Sequence, residues 1–363
     1  MTDFSTRLRN AQHALAAHKH DAVIVGPSSD LNYLLGYDAL PLERLTLLIV
    51  PMVGEVNLIV PELERERAQA FGCDRYASVV TYTETDNPIV LAASLLNEAN
   101  TIAVQQHLFS GFTLALQQQL PSCQFVTATP VLAPLRLTKT SGEIELLRAA
   151  AKAIDSVHAK VADWLRPGLT EAVVGRHISE AILDTHDRVN FVIVASGANG
   201  ASPHHELSDR VLVEGDTVVV DIGGTRDGYC SDETRNYVIG TPPNDYREVH
   251  DTVLRAHAAA VATVRPGVST HSVDAAARQV IIDAGYGRYF IHRTGHGIGL
   301  DAHEEPWIVA GNDTLLTAGM AFSIEPGIYL PGRFGVRIED IVAVTDTGVD
   351  VLNEAPRTLI SVS

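Results

Sequence analysis

The stretch "LRPGLTEAVVGRHISEAILD" (residues 165–184) returns 99 residues further on as "VRPGVSTHSVDAAARQVIID" (264–283). Both open on Arg-Pro-Gly, pass through an apolar residue to a Thr or Ser suited to cap a helix, and continue with helical spacing. The parallel extends downstream. "GDTVVVD" (215–221) matches "GMAFSIE" (319–325), each with a glycine six residues before a carboxylate. Asp232 then follows Gly228 by four residues, as Glu339 follows Gly335. One such coincidence would mean little. Three in the same order indicate two related α/β halves facing each other.

The repeat singles out four acids, a pair on adjacent strands in each half: Asp221 with Asp232, and Glu325 with Glu339. Asp221 ends the run 217–220, a buried strand by pattern, and Glu325 ends the mostly apolar run 321–324. Taken singly, each reads as a strand-end acid that reaches solvent or an arginine. Facing hairpins would bring all four together, where ionised carboxylates are costly to bury and repel one another. One or two divalent cations would resolve the conflict. Oxygen ligands with one imidazole suit Mn²⁺, Co²⁺, Fe²⁺ or Zn²⁺. A pair of such ions lowers the pKa of a water and polarises a carbonyl, which is metal-assisted hydrolysis. No G-x-S-x-G elbow or P-loop competes.

The imidazoles concentrate in "HRTGHGIGLDAHEEP" (292–306), with His292, His296 and His303. It is not H-E-x-x-H, because Trp307 stands where the second histidine is needed, and "GHGIG" is not G-x-G-x-x-G. The interleaved Gly295, Gly297 and Gly299 disfavour a helix at ~1 kcal/mol each. The segment therefore reads as extended or looped backbone. Its glycines are expected to let the chain run close to the metals, where side chains would block substrate.

The rest of the chain frames this region. Its 363 residues suggest two domains. The first third alternates helix and strand signals: "STRLRNAQHALAAH", then "DAVIVG", "LTLLIVP", "NLIVP" and "TIAVQQ". This is a small α/β domain, 1–134, that ends near Pro130 to Pro134. Thr140 and Glu143 then have capping-box spacing ahead of an amphipathic helix, which opens the second domain, 135–363. A formal charge of −17 argues against nucleic acid and anionic membranes as partners. Three scattered cysteines form no C-x-x-C, so thiolate zinc sites and a disulfide framework are not expected. The polar start and the lack of a long apolar run lead us to expect a cytoplasmic protein.

With these residues in view, the chain resembles the pita-bread metallopeptidases, and among them prolidase and aminopeptidase P, the Xaa-Pro peptidases. The resemblance rests on "SPHHELSDRVLVEGDTVVVDIGGTRDGYCSDETR", "HRTGHGIGLDAHEEP", "AFSIEPGIYLPGRFGVRIED" and the entry helix "KTSGEIELLRAA". More weakly, "SSDLNYLLGYDALPLERLTLLIVP" resembles the smaller creatinase-like domain. The fold implied is α/β (α+β): a creatinase-like N-terminal domain followed by a pita-bread domain with internal pseudo-two-fold symmetry. Position by position, the resemblance makes Asp221, Asp232, His296, Glu325 and Glu339 the metal ligands. Asp232 and Glu339 would bridge both ions, Asp221 would serve one, and His296 and Glu325 the other. Glu325 is also the expected proton shuttle. His204 matches a substrate contact, whereas its neighbour His205 matches nothing. His303 matches the histidine that stabilises the tetrahedral intermediate. His292 and Arg337 match positions lining the proline side of the pocket.

The implied activity is hydrolysis of the Xaa-Pro bond in dipeptides or short peptides, by a hydroxide bridging two divalent ions. Mn²⁺ or Co²⁺ is expected first, with Zn²⁺ and Fe²⁺ as alternatives. A homodimer with N-terminal domains closing over the partner's site is also implied. The rivals are an aminopeptidase P acting on longer peptides, a broader dipeptidase, a non-catalytic binding module, and a metal-free hydrolase of the creatinase type. The complete ligand set disfavours the last two.

Overall fold

The two Arg-Pro-Gly turns have nearly the same hydrogen bonds in the computed structural model, which describes residues 3–362. Gly168 and Gly267 adopt φ of 93° and 83°, left-handed backbone that favours glycine. Gly168 N donates to Leu212 O at 3.0 Å, and Gly267 N to Leu316 O at 2.9 Å. Leu212 N returns to Leu169 O and Leu316 N to Val268 O, both at 2.8 Å. Thr170 and Ser269 then cap their helices through bonds from Val173 N and Ser272 N. Further on, Gly215 and Gly319 turn the chain into the central strands at φ of 89° and 90°. The expected repeat is therefore present in the bonds of these turns and caps.

The chain divides into two compact units, Met1–Arg136 and Leu137–Ser363. In the first, six strands are ordered Ser78–Tyr82, Asn57–Pro61, Leu47–Pro51, Ala22–Val25, Thr101–Val104, Gln124–Thr127. The sheet is mixed: Ala22–Val25 pairs antiparallel with Leu47–Pro51 and parallel with Thr101–Val104. Ile24, Leu47, Ile49 and Ile59 lie in its core. The helix Thr129–Leu137 passes through Pro134, so the prolines expected to close this domain lie inside its last helix. The ring removes one backbone donor and the helix tolerates the loss.

In the second unit, the helix Ser141–Trp164 begins with the expected capping box on Thr140 and Glu143. Such a cap stabilises by about 0.5–2 kcal/mol. The Glu143 carboxylate also accepts from Tyr229 OH at 2.7 Å, which ties the helix start to the first-half hairpin. The first half's sheet is ordered Ile360–Val362, Glu233–Ile239, Thr217–Arg226, Arg188–Ser196. It packs on Ser141–Trp164 and Glu171–Leu183 through Ile154, Val157, Val174, Ile178, Val218 and Val220. The second half's sheet is ordered Glu304–Ile308, Gly295–Gly297, Ala321–Ile324, Asp340–Val344, Val349–Val351. It packs on Tyr246–Thr263 and Thr270–Asp283 through Val253, Ala277, Phe322 and Val342. The sheets meet at a bridge between Thr234 and Glu339. Among the described residues, no helix is long and apolar enough to cross a membrane.

Candidate metal centre

The bridge at Thr234 and Glu339 brings the four acids together. Asp221 faces Thr234 across the first-half hairpin, and Asp232 lies just before the returning strand. Glu325 follows the strand Ala321–Ile324, and Glu339 precedes Asp340–Val344. Ligand atoms of Asp221, Asp232 and Glu339 lie within 4.8 Å of one another, as do those of His296, Glu325 and Glu339. Glu339 thus belongs to both trios. A third group joins Asp232 and His296 to His303.

The electrostatics of this cluster call for cations. Burial, reinforced by Glu339, Asp221 and Glu325, pushes the Asp232 carboxyl well above the usual carboxylate range. Burial does the same to Glu339, with Glu325 and Asp221 adding to it. Burial carries Glu325 up to about 7 against the opposing pull of Arg337. Acids placed in this way either hold protons or share positive ions. Two buried oxygens, Asp221 Oδ1 and Asp232 Oδ1, have no hydrogen-bond partner, although buried acceptors are nearly always satisfied.

His296 strengthens the case. Its Nδ1 lies 3.1 Å from the Gly297 carbonyl, which can only accept, so we assign the ring proton to Nδ1. Nε2 is then a bare lone pair, 3.3 Å from Glu325 Oε1 and 3.7 Å from Asp232 Oδ2. Burial holds the imidazole down at about 3, so at neutral pH the ring itself brings no proton to these carboxylates. A bare imidazole nitrogen converging with two carboxylate oxygens fits a metal ion, and orientation of the ring by its second nitrogen is usual for histidine ligands. Carboxylates with one imidazole and no thiolate fit Mn²⁺, Co²⁺, Zn²⁺ or Fe²⁺.

The glycines of 292–306 have a different purpose from the one expected. The segment forms the short strand Gly295–Gly297, wedged between Glu304–Ile308 and Ala321–Ile324. A Cβ on Gly295 would sit 1.8 Å from Ser323 O, and one on Gly297 2.1 Å from Glu305 O. The glycines admit neighbouring backbone, which delivers His296 to the acids; they do not clear room for substrate.

The remaining candidates surround the cluster. The exposed His303 stands edge-on to His296, ring centroids 4.0 Å apart. Burial, Arg293 and His204 hold His303 below its ordinary range. His204 is exposed, and the next residue, His205, binds Glu171 Oε2 at 2.8 Å through Nε2. Glu171 is fully buried and also accepts from Ser196, Asn199 and Ser208. It is a hub that fixes the loop presenting His204. Arg337 is 3% exposed and already engaged. It pairs with Asp221 and donates to Thr234 Oγ1 at 3.1 Å, Tyr329 OH at 2.8 Å and Pro203 O at 3.4 Å. His292 Nδ1 donates to Arg293 O at 2.7 Å, so its Nε2 accepts from Tyr329 OH at 2.9 Å. Thr234 and Tyr329 lie within the quoted motifs and Glu171 within the repeat, but no local pattern gives any of the three its partner.

This fold and this cluster define a metallopeptidase of the pita-bread type. Residues 145–346 match metallopeptidase family M24, and residues 7–138 match the creatinase/prolidase N-terminal domain. The chain belongs to metallopeptidase family M24. Over 99% of its length it is 47% identical to the probable dipeptidase PepE of Mycobacterium tuberculosis, of which 96% is covered. The crystal structure of dipeptidase PepE from Mycobacterium ulcerans matches with a TM-score of 0.94 at 47% identity, over 99% of this chain and 98% of that one. Recombinant prolidase from Thermococcus sibiricus matches with a TM-score of 0.94 at 37% identity, over 99% and 100%.

Proposed function

We propose that the protein is a metal-dependent peptidase that hydrolyses the Xaa-Pro bond of dipeptides and short peptides. The observation that carries this reading is the convergence of Asp221, Asp232, His296, Glu325 and Glu339, with the buried Asp221 Oδ1 and Asp232 Oδ1 left without a hydrogen-bond donor. Two trios that share Glu339 support a pair of ions. The names of the relatives, dipeptidase PepE and prolidase, support the substrate class.

When bound, divalent ions lower the pKa of a water and polarise the scissile carbonyl. The chain's own groups would do the rest. Glu325 has the most solvent-accessible side chain in its contact with His296, at 15% against 4%. Ser323 Oγ holds its Oε1 at 3.2 Å. Both observations support Glu325 as the group that would take a proton from water and pass it to the prolyl nitrogen. His303 and His204, both exposed, offer donors to the substrate carbonyl. Arg337 acts on Asp221 and Tyr329, and so would help to orient the cluster.

The test is hydrolysis of Gly-Pro, Gly-Pro-Ala and Gly-Ala by Mn²⁺-loaded and chelator-treated protein. Chelator-sensitive cleavage with Gly-Pro fastest is expected. Preference for Gly-Pro-Ala would move the reading to an aminopeptidase, equal rates on Gly-Ala to a broader dipeptidase, and chelator-insensitive cleavage would overturn it.

A further inference from the structure

Asp232 and Glu339 occupy matching positions in the repeat, and so do the residues after them, Glu233 and Asp340. Successive side chains of an extended chain point to opposite faces. The first pair joins the metal cluster. The second is buried behind it, with both residues at 0% exposure. Behind the cluster the charge is met from within the chain. Arg235 Nη2 lies 2.7 Å from both Glu233 Oε1 and Asp340 Oδ1. The Glu233 contact is an ion pair without hydrogen-bond alignment; the Asp340 contact is a hydrogen bond. Arg235 Nη1 donates to Thr234 O at 2.9 Å and to Glu339 O at 2.6 Å. Nη2 also donates to Ala355 O at 2.9 Å.

These contacts cross the seam between the halves. Glu233 opens a strand of the first-half sheet, and Asp340 opens a strand of the second. The backbone bond across the seam, Glu339 N to Thr234 O, is long at 3.3 Å. Arg357 and His257 also pair with Asp340, but among the described residues Arg235 alone is paired with both acids. Without it Glu233 would stand beside Asp340 with no cation of its own and push apart the strands that carry Asp232 and Glu339. Symmetry supplies no second arginine, because Val342 stands at the position matching Arg235.

We propose that Arg235 is a positioning residue of the metal centre. It is a tethered cation that locks the two back-face acids together and sets the spacing of Asp232 and Glu339 on the front. The proposal rests on the reading of the cluster as a metal site. Groups that orient metal ligands in this way are worth about 10–100-fold in affinity.

The experiment is Mn²⁺ titration of metal-free full-length protein by calorimetry, alongside thermal unfolding. Arg235→Met should weaken Mn²⁺ binding by about 10–100-fold. Arg235→Lys should give an intermediate loss, because an ammonium cannot serve both acids and the Glu339 and Ala355 carbonyls together. Arg357→Met loses a contact to Asp340 but none to Glu339, and should bind Mn²⁺ as wild type does. A purely structural role would lower thermal stability and leave the Kd unchanged. Wild-type Mn²⁺ affinity in Arg235→Lys overturns the proposal, and this variant decides alone should Arg235→Met fail to fold. A wild type that binds no Mn²⁺ overturns instead the metal reading beneath it.

Discussion

Replacing Arg337 by methionine separates two accounts of that residue. If it lines the proline pocket, its loss should raise KM and leave the fold intact. The structure instead gives it a carboxylate to neutralise. The side chains of Arg337 and Asp221 are only 4% and 10% exposed, so solvent screens little of their interaction. Removing one member of such a pair strands the other charge, at a cost of about 3–5 kcal/mol. Lost bonds to Thr234 and Tyr329 add to this. For a unit of this size each kcal/mol moves the midpoint by about 2–4 °C, so metal-free Arg337→Met should unfold about 10 °C below wild type. A divalent ion beside Asp221 restores the missing positive charge, so Mn²⁺ should recover a large part of that difference. The assay is scanning calorimetry of metal-free and Mn²⁺-loaded protein, with steady-state kinetics on Gly-Pro. A midpoint unchanged in both states, with the defect confined to KM, would refute the reasoning and return Arg337 to the substrate.

Single contacts set three further outcomes. Gly295→Ala drives a Cβ into Ser323 O, 1.8 Å away. Neither backbone can rotate aside, so a loss of about 1–3 kcal/mol or more is expected in urea unfolding, together with weakened Mn²⁺ binding; wild-type values for both would mean the strands part freely. Glu171→Gln replaces a buried acceptor of bonds from Ser196, Asn199, His205 and Ser208 with a group that must also donate. kcat/KM should fall through displacement of His204 while metal content, read by mass spectrometry, stays whole; unaltered kinetics would remove the hub from the site. Burial holds His158 down at about 3, against 6.5 for the free side chain. The unfolded chain therefore binds a proton that the folded protein refuses, and stability present above pH 6.5 is lost as the pH falls towards 3. His158→Gln should flatten the fall of the unfolding midpoint over that window, and an unchanged slope would count against it.

The features legible in the sequence were those with local causes. The Arg-Pro-Gly turns need left-handed glycine at 168 and 267, and Thr170 and Ser269 must cap the helices after them, so the repeat is written in turn chemistry. The four acids stood out because the repeat placed them twice. Residues whose meaning depends on a distant partner left no such mark. Arg235 and Glu339 O are 104 residues apart in the chain, and Glu171 receives donors from 25 to 37 residues downstream. Arg337 was visible as a motif residue, but its burial against Asp221 was not. The glycines of 295–299 were visible too, yet the backbone they accommodate, at Ser323 and Glu305, belongs to strands that spacing alone cannot align.

Metal content and Gly-Pro hydrolysis, measured on the same preparations of wild type, Asp232→Asn and Glu339→Gln, test the metal centre most directly. The wild type should bind a pair of divalent ions per chain and lose activity with them. Both variants should be folded, depleted of metal and inactive. Full turnover by either variant, or a wild type that hydrolyses Gly-Pro after complete removal of metal, would contradict a metal-dependent mechanism at these residues.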